Sequence, residues 1–395
     1  MTFSVPILAP EGLMDYVEDD FIHFEGTVPN RSGTGRLEAG GLAVFDGVMI
    51  RSRTGFAVAV RREDGAIAVR QVPFASLTHK VRALRLPLVR AIGALWEMVQ
   101  IGTRALNYAA SIAQGKKARR KEPSRSETAT MLAASALLIL VLFLFLPELF
   151  AGWTVLLLPE AMQGFASNVV TYNLLTGLFR VAILLAYVGG LSLSGEIVRV
   201  FQYHGAEHKA VLTFEQGRNV TVDRARVQDT IHPRCGTTFV TLVVLLAVVA
   251  FTVADVLVAL TMPQVAQWGV FAQRGFHLGV QVVFLPAVLA VSFEMIRAWA
   301  YRKPGRFGRW ALQPGLWMQR LTTRQPDDRQ VEVAIVALFA ALAISPRQWE
   351  ERTYLVRGLE DDESAPGYRP RSPARPAPVQ EGGDGAAAEN ETGTG

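Results

Sequence analysis

The chain carries a single cysteine, Cys235, in 395 residues. An intrachain disulfide is therefore excluded, and the thiol is left to metal ligation, redox chemistry or packing. Charge is also scarce: Asp, Glu, Lys and Arg make up 19% of the chain, against roughly 25% in soluble domains. The first residues, MTFSVPILAPEGLMDYVEDD, lack the basic start and apolar core of a secretory signal. They are read as uncleaved, and membrane insertion falls to internal apolar helices.

Four stretches hold most of the missing charge: about Met131 to Phe150, Leu174 to Ser194, Phe239 to Met262 and Phe276 to Ala298. Each has the roughly 20 residues needed to cross about 30 Å of hydrocarbon as a helix. The second contains Arg180 and also Gly189-Gly190, a pair suited to close helix packing. Asp255, near the far end of the third, reads as an interface marker. Lys and Arg alternate around the spans. They crowd before the first (Lys116 to Arg125), between the second and third (Arg199, Lys209, Arg218, Arg224, Arg226, Arg234) and after the fourth (Arg297 to Arg309). Between the first and second there are none, and between the third and fourth only Arg274. This bias places both termini in the cytoplasm.

Outside the spans, residues 1–39 read as a flexible segment. Phe56, Val58 and Val60 alternate with Ala57 and Ala59, and Asp64-Gly65 then leads into Ile67 and Val69. This pattern predicts a hairpin within a small β unit over 40–78. Residues 79–126 form an amphipathic helical segment with Leu84, Leu88, Ile92, Leu95 and Val99 at helical spacing. It either lies in the membrane interface or packs on the β unit. The basic run beside the first span suits anionic headgroups rather than nucleic acid. Residues 127–300 form the four-span domain, with a cytoplasmic loop at 195–236. Pro326-Asp327-Asp328 opens a short cytoplasmic helix, Val331 to Ile344, within a helical segment 301–358. The tail 359–395 has the composition of disorder. The fold class is an α-helical integral membrane protein with four transmembrane helices, a small N-terminal cytoplasmic β unit and amphipathic helices.

The chemistry concentrates in the loop between spans two and three. Tyr203-His204-Gly205-Ala206-Glu207-His208-Lys209 places His204 and His208 one helical turn apart, with Glu207 beside them. H-x-x-E-H is the inverted zinc-protease pattern, in which two imidazoles hold metal and the carboxylate acts as general base. His232-Pro233-Arg234-Cys235-Gly236 adds an imidazole and a thiol before span three, both preferred zinc ligands. Glu294, near the cytoplasmic end of span four, is an acid at a depth where it needs a partner or a metal. Glu196 occupies a similar position in span two and reads as structural. His277 reads as interfacial, and His79 and His23 as surface residues. Taken singly, each motif also has a plain structural reading: H-x-x-E-H as surface helix, Cys235 as a buried inert thiol, Glu294 as an ion-pair member. Topology brings the groups to one membrane face.

These segments resemble the YqhQ-like family of uncharacterised bacterial membrane proteins, a domain-of-unknown-function family. The matching stretches are Gly40 to Arg51, Tyr203 to Lys209, His232 to Thr237, Ser292 to Arg297 and Pro314 to Thr323, in that order. The resemblance covers about residues 40 to 340. It implies a multi-span protein of the bacterial inner membrane, described as a predicted metal-dependent enzyme, with His204, Glu207, His208, His232 and Cys235 as motif residues. Asp46 stands where the family's first motif leads one to expect Glu, which shortens the reach of that acid.

The expected activity is that of a metal-dependent hydrolase acting on a peptide or lipid at the cytoplasmic membrane face. His204, His208, His232, Cys235 and Glu294 are the candidate ligands of a divalent ion, zinc in the first instance. Glu207 is the expected base. Arg234 and Lys209 are the expected stabilisers of an oxyanion or anionic substrate. The alternative is a non-enzymatic membrane scaffold in which metal or a polar network pins the loop to the spans. A transporter is a weaker third reading, because the spans carry few midplane polar residues besides Arg180 and no evident repeat.

Overall fold

The computed structural model describes residues 3–8, 21–24, 40–77, 81–113, 125–217, 219–301, 305–344 and 350–356. Its strands are β1 (Phe3–Leu8), β2 (Phe21–Phe24), β3 (Gly40–Val44), β4 (Gly47–Arg51), β5 (Gly55–Arg61), β6 (Ile67–Pro73) and β7 (Arg352–Val356). They form one antiparallel sheet in the order β2-β1-β7-β6-β5-β4-β3. The expected Asp64-Gly65 hairpin joins β5 to β6, with Arg61 opposite Ile67 and Gly65 at φ 86°. The sheet extends beyond the β unit read from the sequence. Two strands lie in the segment read as flexible, and β7 comes from the segment read as helical.

The helices are α1 (Val89–Ala113), α2 (Arg125–Leu140), α3 (Leu146–Leu157), α4 (Glu160–Ala166), α5 (Val169–Leu191), α6 (Gly195–Glu215), α7 (Val222–Arg226), α8 (Gly236–Thr261), α9 (Val270–Tyr301), α10 (Arg306–Thr322) and α11 (Asp328–Leu342). Helices α2 and α3 run on through a π turn at Val141–Phe145.

The sheet is covered on both faces, which explains why β5 alternates large with small rather than apolar with polar. Phe56, Val58 and Val60 pack with Ile101, Ala105 and Tyr108 of α1. Ala57 and Ala59 leave room on the other face for α6 and α11. Helix α11 starts where the sequence predicts, at an Asp327–Gln330 capping box. It is a central core helix: Val333, Ala334, Ile335, Ala337 and Leu338 are all fully buried. Of the two readings left open for α1, the structure shows packing on the β unit. One face packs on the sheet, while Ile92, Trp96 and Val99 on another are 59%, 52% and 42% exposed.

Four helical segments are long and apolar enough to cross a membrane: Ser126–Leu157, Val169–Leu191, Gly236–Thr261 and Ala272–Trp299. They coincide with the four stretches read from the sequence. Only 6% of the first window is buried by protein. One packing expectation is corrected. A Cβ at Gly189 or Gly190 would meet nothing within 4 Å, so that pair makes no close contact. Gly177 does instead: its Cβ would lie 2.6 Å from Val248 of α8.

Candidate metal centre

Helix α6 follows α5 after a short break and packs on α11, β3 and β4. Its H-G-x-E-H segment meets the loop 227–235 and the start of the α10–α11 connection. Gly205 permits this approach: a Cβ there would lie 2.2 Å from the Arg324 carbonyl oxygen. Arg324 N donates to Phe201 O at 2.9 Å, fixing the crossing. On the sheet side, a Cβ at Gly41 would lie 2.7 Å from Glu207 Cγ. The first motif thus supplies the wall against which Glu207 packs.

The two imidazoles are oriented in the same way. His204 Nδ1 lies 2.9 Å from Thr322 O, and His208 Nδ1 lies 2.5 Å from Thr230 O. A carbonyl only accepts, so each Nδ1 carries the proton and each Nε2 presents a lone pair. Metal-binding histidines are typically held this way. His204 Nε2 lies 3.2 Å from Cys235 Sγ, and the two rings are 4.5 Å apart. One potential ligand atom from each of His204, His208 and Cys235 lies within 4.8 Å of the other two. Tetrahedral zinc, with bonds of roughly 2.0–2.3 Å, places its N and S ligands about 3.5 Å apart. A small inward shift of these side chains brings them to that spacing, so the donor set fits such an ion. Cys235 also caps α8 by accepting from Thr237 N at 3.4 Å.

Glu207 is 5% exposed, with Oε2 3.6 Å from His208 Nε2. Among the described residues no donor hydrogen-bonds its carboxylate. A carboxylate buried without a donor is costly, and two facing lone pairs repel. A cation beside Glu207 and His208 would answer both.

The other expected site residues are placed differently. His232 stands 5.6 Å from His208, ring to ring, but its Nδ1 accepts from Arg234 N at 3.3 Å and its Nε2 faces Glu215 Oε2 at 3.4 Å. It is not among the three residues whose ligand atoms converge within 4.8 Å. Gln319 fixes it further, accepting from His232 N at 2.8 Å and donating to His232 O at 2.9 Å. Arg234 pairs with Glu215. Lys209 is buried and donates to the carbonyls of Arg226 and Gln228 at 2.7 and 2.5 Å. It ties down the end of α7 instead of facing a substrate. Glu294 is held by Arg90, with Nε at 2.6 Å, and by Leu88 N at 3.4 Å, so its charge is answered by α1 and it is absent from the ligand group. Asp46, at φ 51° in the β3–β4 turn, pairs with Arg199. Glu196 is exposed. His79 and the basic run over 116–121 lie outside the described residues.

Gln319, Glu215 and the carbonyls of Thr230 and Thr322 are the parts that sequence reasoning missed. Gln319 had a signal, since it falls in the Pro314 to Thr323 stretch. The carbonyls had none, because any residue type supplies one.

Burial holds the His232 imidazole below its ordinary value of 6.5, partly offset by the nearby Glu207 carboxylate. The unfolded chain then binds a proton that the folded chain resists. Stability from this residue is complete above about pH 6.5 and is lost as pH falls from there toward the folded value. Chemical unfolding of chelator-treated protein at pH 7.5 and 5.5 tests this. The wild type is expected to lose more stability over that interval than His232→Gln, and equal losses would refute the assignment.

Residues 86–344 match the family described as "Protein of unknown function (DUF1385)". The chain is 31% identical over 300 residues to "Uncharacterized protein YqhQ" of Bacillus subtilis (strain 168), an alignment covering 75% of this chain and 89% of that protein. No solved structure matches it. The matched region holds α6, the His232–Cys235 loop, the four long apolar helices and α11, and on these grounds the chain belongs to the DUF1385 family.

Proposed function

We propose that the protein is a multi-pass membrane protein of the bacterial inner membrane and a metal-dependent hydrolase. Its centre, at His204, His208 and Cys235, lies at the cytoplasmic face with both termini. The membrane reading rests on the four apolar helices, the low burial of the first, and the Lys and Arg bias of the loops. The metal reading rests on one observation above the rest: two imidazoles with carbonyl-fixed Nδ1 protons converge on a thiol. Three protein ligands leave a position open, the pattern of catalytic rather than structural zinc.

A divalent ion held there supplies Lewis acidity and a water nucleophile near neutral pH. The chain's own contribution is proton handling. The Glu207 carboxylate takes the proton of the attacking water and returns it to the leaving group. Its burial and its contact with His208 keep it at the ligand cluster. The substrate is a peptide or lipid reached from the inner leaflet.

The scaffold reading is favoured by one observation. The same two histidines tie α6 to Thr322 and Thr230, so a closed structural metal with Glu207 as fourth ligand would lock these elements together. Glu207→Gln separates the two. On the hydrolase reading, purified protein keeps about one metal per chain and its stability but loses hydrolysis of labelled inner-membrane lipid or peptide by at least about 100-fold. Loss of metal with loss of stability supports the scaffold. Absence of metal from wild type after reconstitution with zinc, manganese or iron overturns both metal readings.

A further inference from the structure

A second polar cluster lies inside the four-helix bundle, toward the end opposite the His/Cys centre. All four long helical segments contribute to it. Arg180, near the middle of α5, is 2% exposed. Its Nε donates to Phe143 O at 2.9 Å, in the π turn of the first segment, and its Nη2 donates to Gln281 of α9 at 2.7 Å. Gln281 in turn donates to Glu148 Oε1 at 2.8 Å. Asp255 of α8 accepts from Asn173 at 3.0 Å and lies 2.7 Å from His277 Nδ1. Asp255 and His277 are therefore partners in a buried network rather than separate interfacial residues, as their positions in the sequence suggest. Ionisable side chains at this depth generally mark a ligand or ion path.

The hydrogen-bond inventory shows which charge is left open. Asp255 has two partners, and Glu148 accepts from Gln281. Arg180 Nη1 is buried and has no acceptor among the described residues. Arg274, at the start of α9, stacks over Tyr172 at 3.9 Å. Its guanidinium also makes no hydrogen bond among them. Both guanidinium groups approach the same carboxylate, at 3.8 and 3.9 Å from Glu148, beyond hydrogen-bond reach. Each guanidinium thus keeps donors to spare, with Glu148 the acid that both approach and Asp255 the second carboxylate of the cluster. Arg274 is 41% exposed and Arg180 2%, so the arrangement leads inward from the surface.

We propose that Arg180 and Arg274 form a clamp for a phosphate-type oxyanion, entering from the end of the bundle opposite the His/Cys centre. Guanidinium forks match the tetrahedral oxyanion's acceptors and its charge. An apolar wall, with Phe251 stacked under Arg180 at 4.9 Å, strengthens the attraction by excluding water. The shared chemistry covers a free phosphate and a phospholipid headgroup. This site uses no residue of the metal centre and does not depend on the hydrolase reading.

The test uses full-length protein, delipidated in a maltoside detergent that carries no phosphate. Inorganic phosphate is titrated by calorimetry, and phosphatidylglycerol is added for native mass spectrometry. One equivalent of either ligand is expected to bind, and Arg274→Gln is expected to weaken it at least tenfold. Phosphate binding that phosphatidylglycerol does not compete with identifies a free oxyanion. Retention of phosphatidylglycerol alone identifies a headgroup. Glu148→Gln removes the competing negative charge and is expected to tighten binding. Arg180→Gln should abolish it, and if that variant fails to fold, Arg274→Gln and Glu148→Gln still decide. Binding of neither ligand, binding indifferent to Arg274→Gln, or weaker binding in Glu148→Gln would overturn the proposal. Metal content stays unchanged in Arg274→Gln.

Discussion

Gly205→Ala is expected to destabilise the protein by about 3 kcal/mol or more and to disorganise the candidate metal centre, although it adds one methyl group. Overpacking a core by a methylene or so generally costs about 1–3 kcal/mol, because side chains rotate away. Here the obstruction is backbone: the new Cβ would lie 2.2 Å from Arg324 O, and Thr230 Cγ2 would be 3.2 Å away on the other side. Arg324 cannot retreat without breaking its 2.9 Å bond to Phe201 O. The displacement also falls on the two anchors of the imidazoles. Thr322 O holds His204 from two residues before Arg324, and Thr230 O holds His208. Metal content and unfolding free energy should therefore fall together. Gly189→Ala is the control, because its Cβ would enter open space inside a helix and Ala is the better helix former. Chemical denaturation of the three proteins beside elemental analysis checks the point. Gly205→Ala with wild-type stability and metal would refute the account of this crossing.

The spans, the β5–β6 hairpin and the H-x-x-E-H helix were legible in the sequence because each depends on local information. Twenty apolar residues, an Asp-Gly between alternating runs, and two histidines four apart all carry their meaning within one window. What was not legible depends on which surface meets which. Glu294 has a sequence position suited to a ligand, and only the fold reveals that Arg90, some 200 positions earlier in the chain, has claimed it. Lys209 and Arg234 sit in the right motifs, yet their charges serve carbonyls and Glu215. His232 is set apart from His204 and His208 by its own partners, Arg234 N and Glu215, which no spacing rule encodes. The polar network of the spans escaped for a related reason. Glu148, Arg180, Asp255, His277 and Gln281 come from four separate segments, and each alone looks like an isolated exception in an apolar run.

Helix α11 is the largest shift between sequence and structure, and Leu338→Ala measures it. From the sequence, Val331 to Ile344 reads as a short cytoplasmic helix with no packing partner assigned. In the fold, α11 lies between the sheet and α6, apolar nearly all round and buried nearly all round. Leu338 is fully buried among side chains of these elements. Truncation removes its transfer free energy and leaves a cavity that sheet and helix, pinned to each other, collapse only in part. The expected loss is about 2–5 kcal/mol. Glu332, on the same helix, is bound by Arg61 at 2.5 Å, and Gln71 donates to Ala340 O at 2.7 Å, so α11 has little freedom to slide into the space. The consequence reaches the candidate metal centre through α6, whose Tyr203, Ala206 and Ala210 share this core. Leu338→Ala should therefore lower the unfolding free energy strongly while leaving metal content intact in the protein that remains folded. That pattern distinguishes loss of core packing from the loss of ligand geometry expected of Gly205→Ala. A change below about 1 kcal/mol, measured by chemical denaturation, would return α11 to the surface.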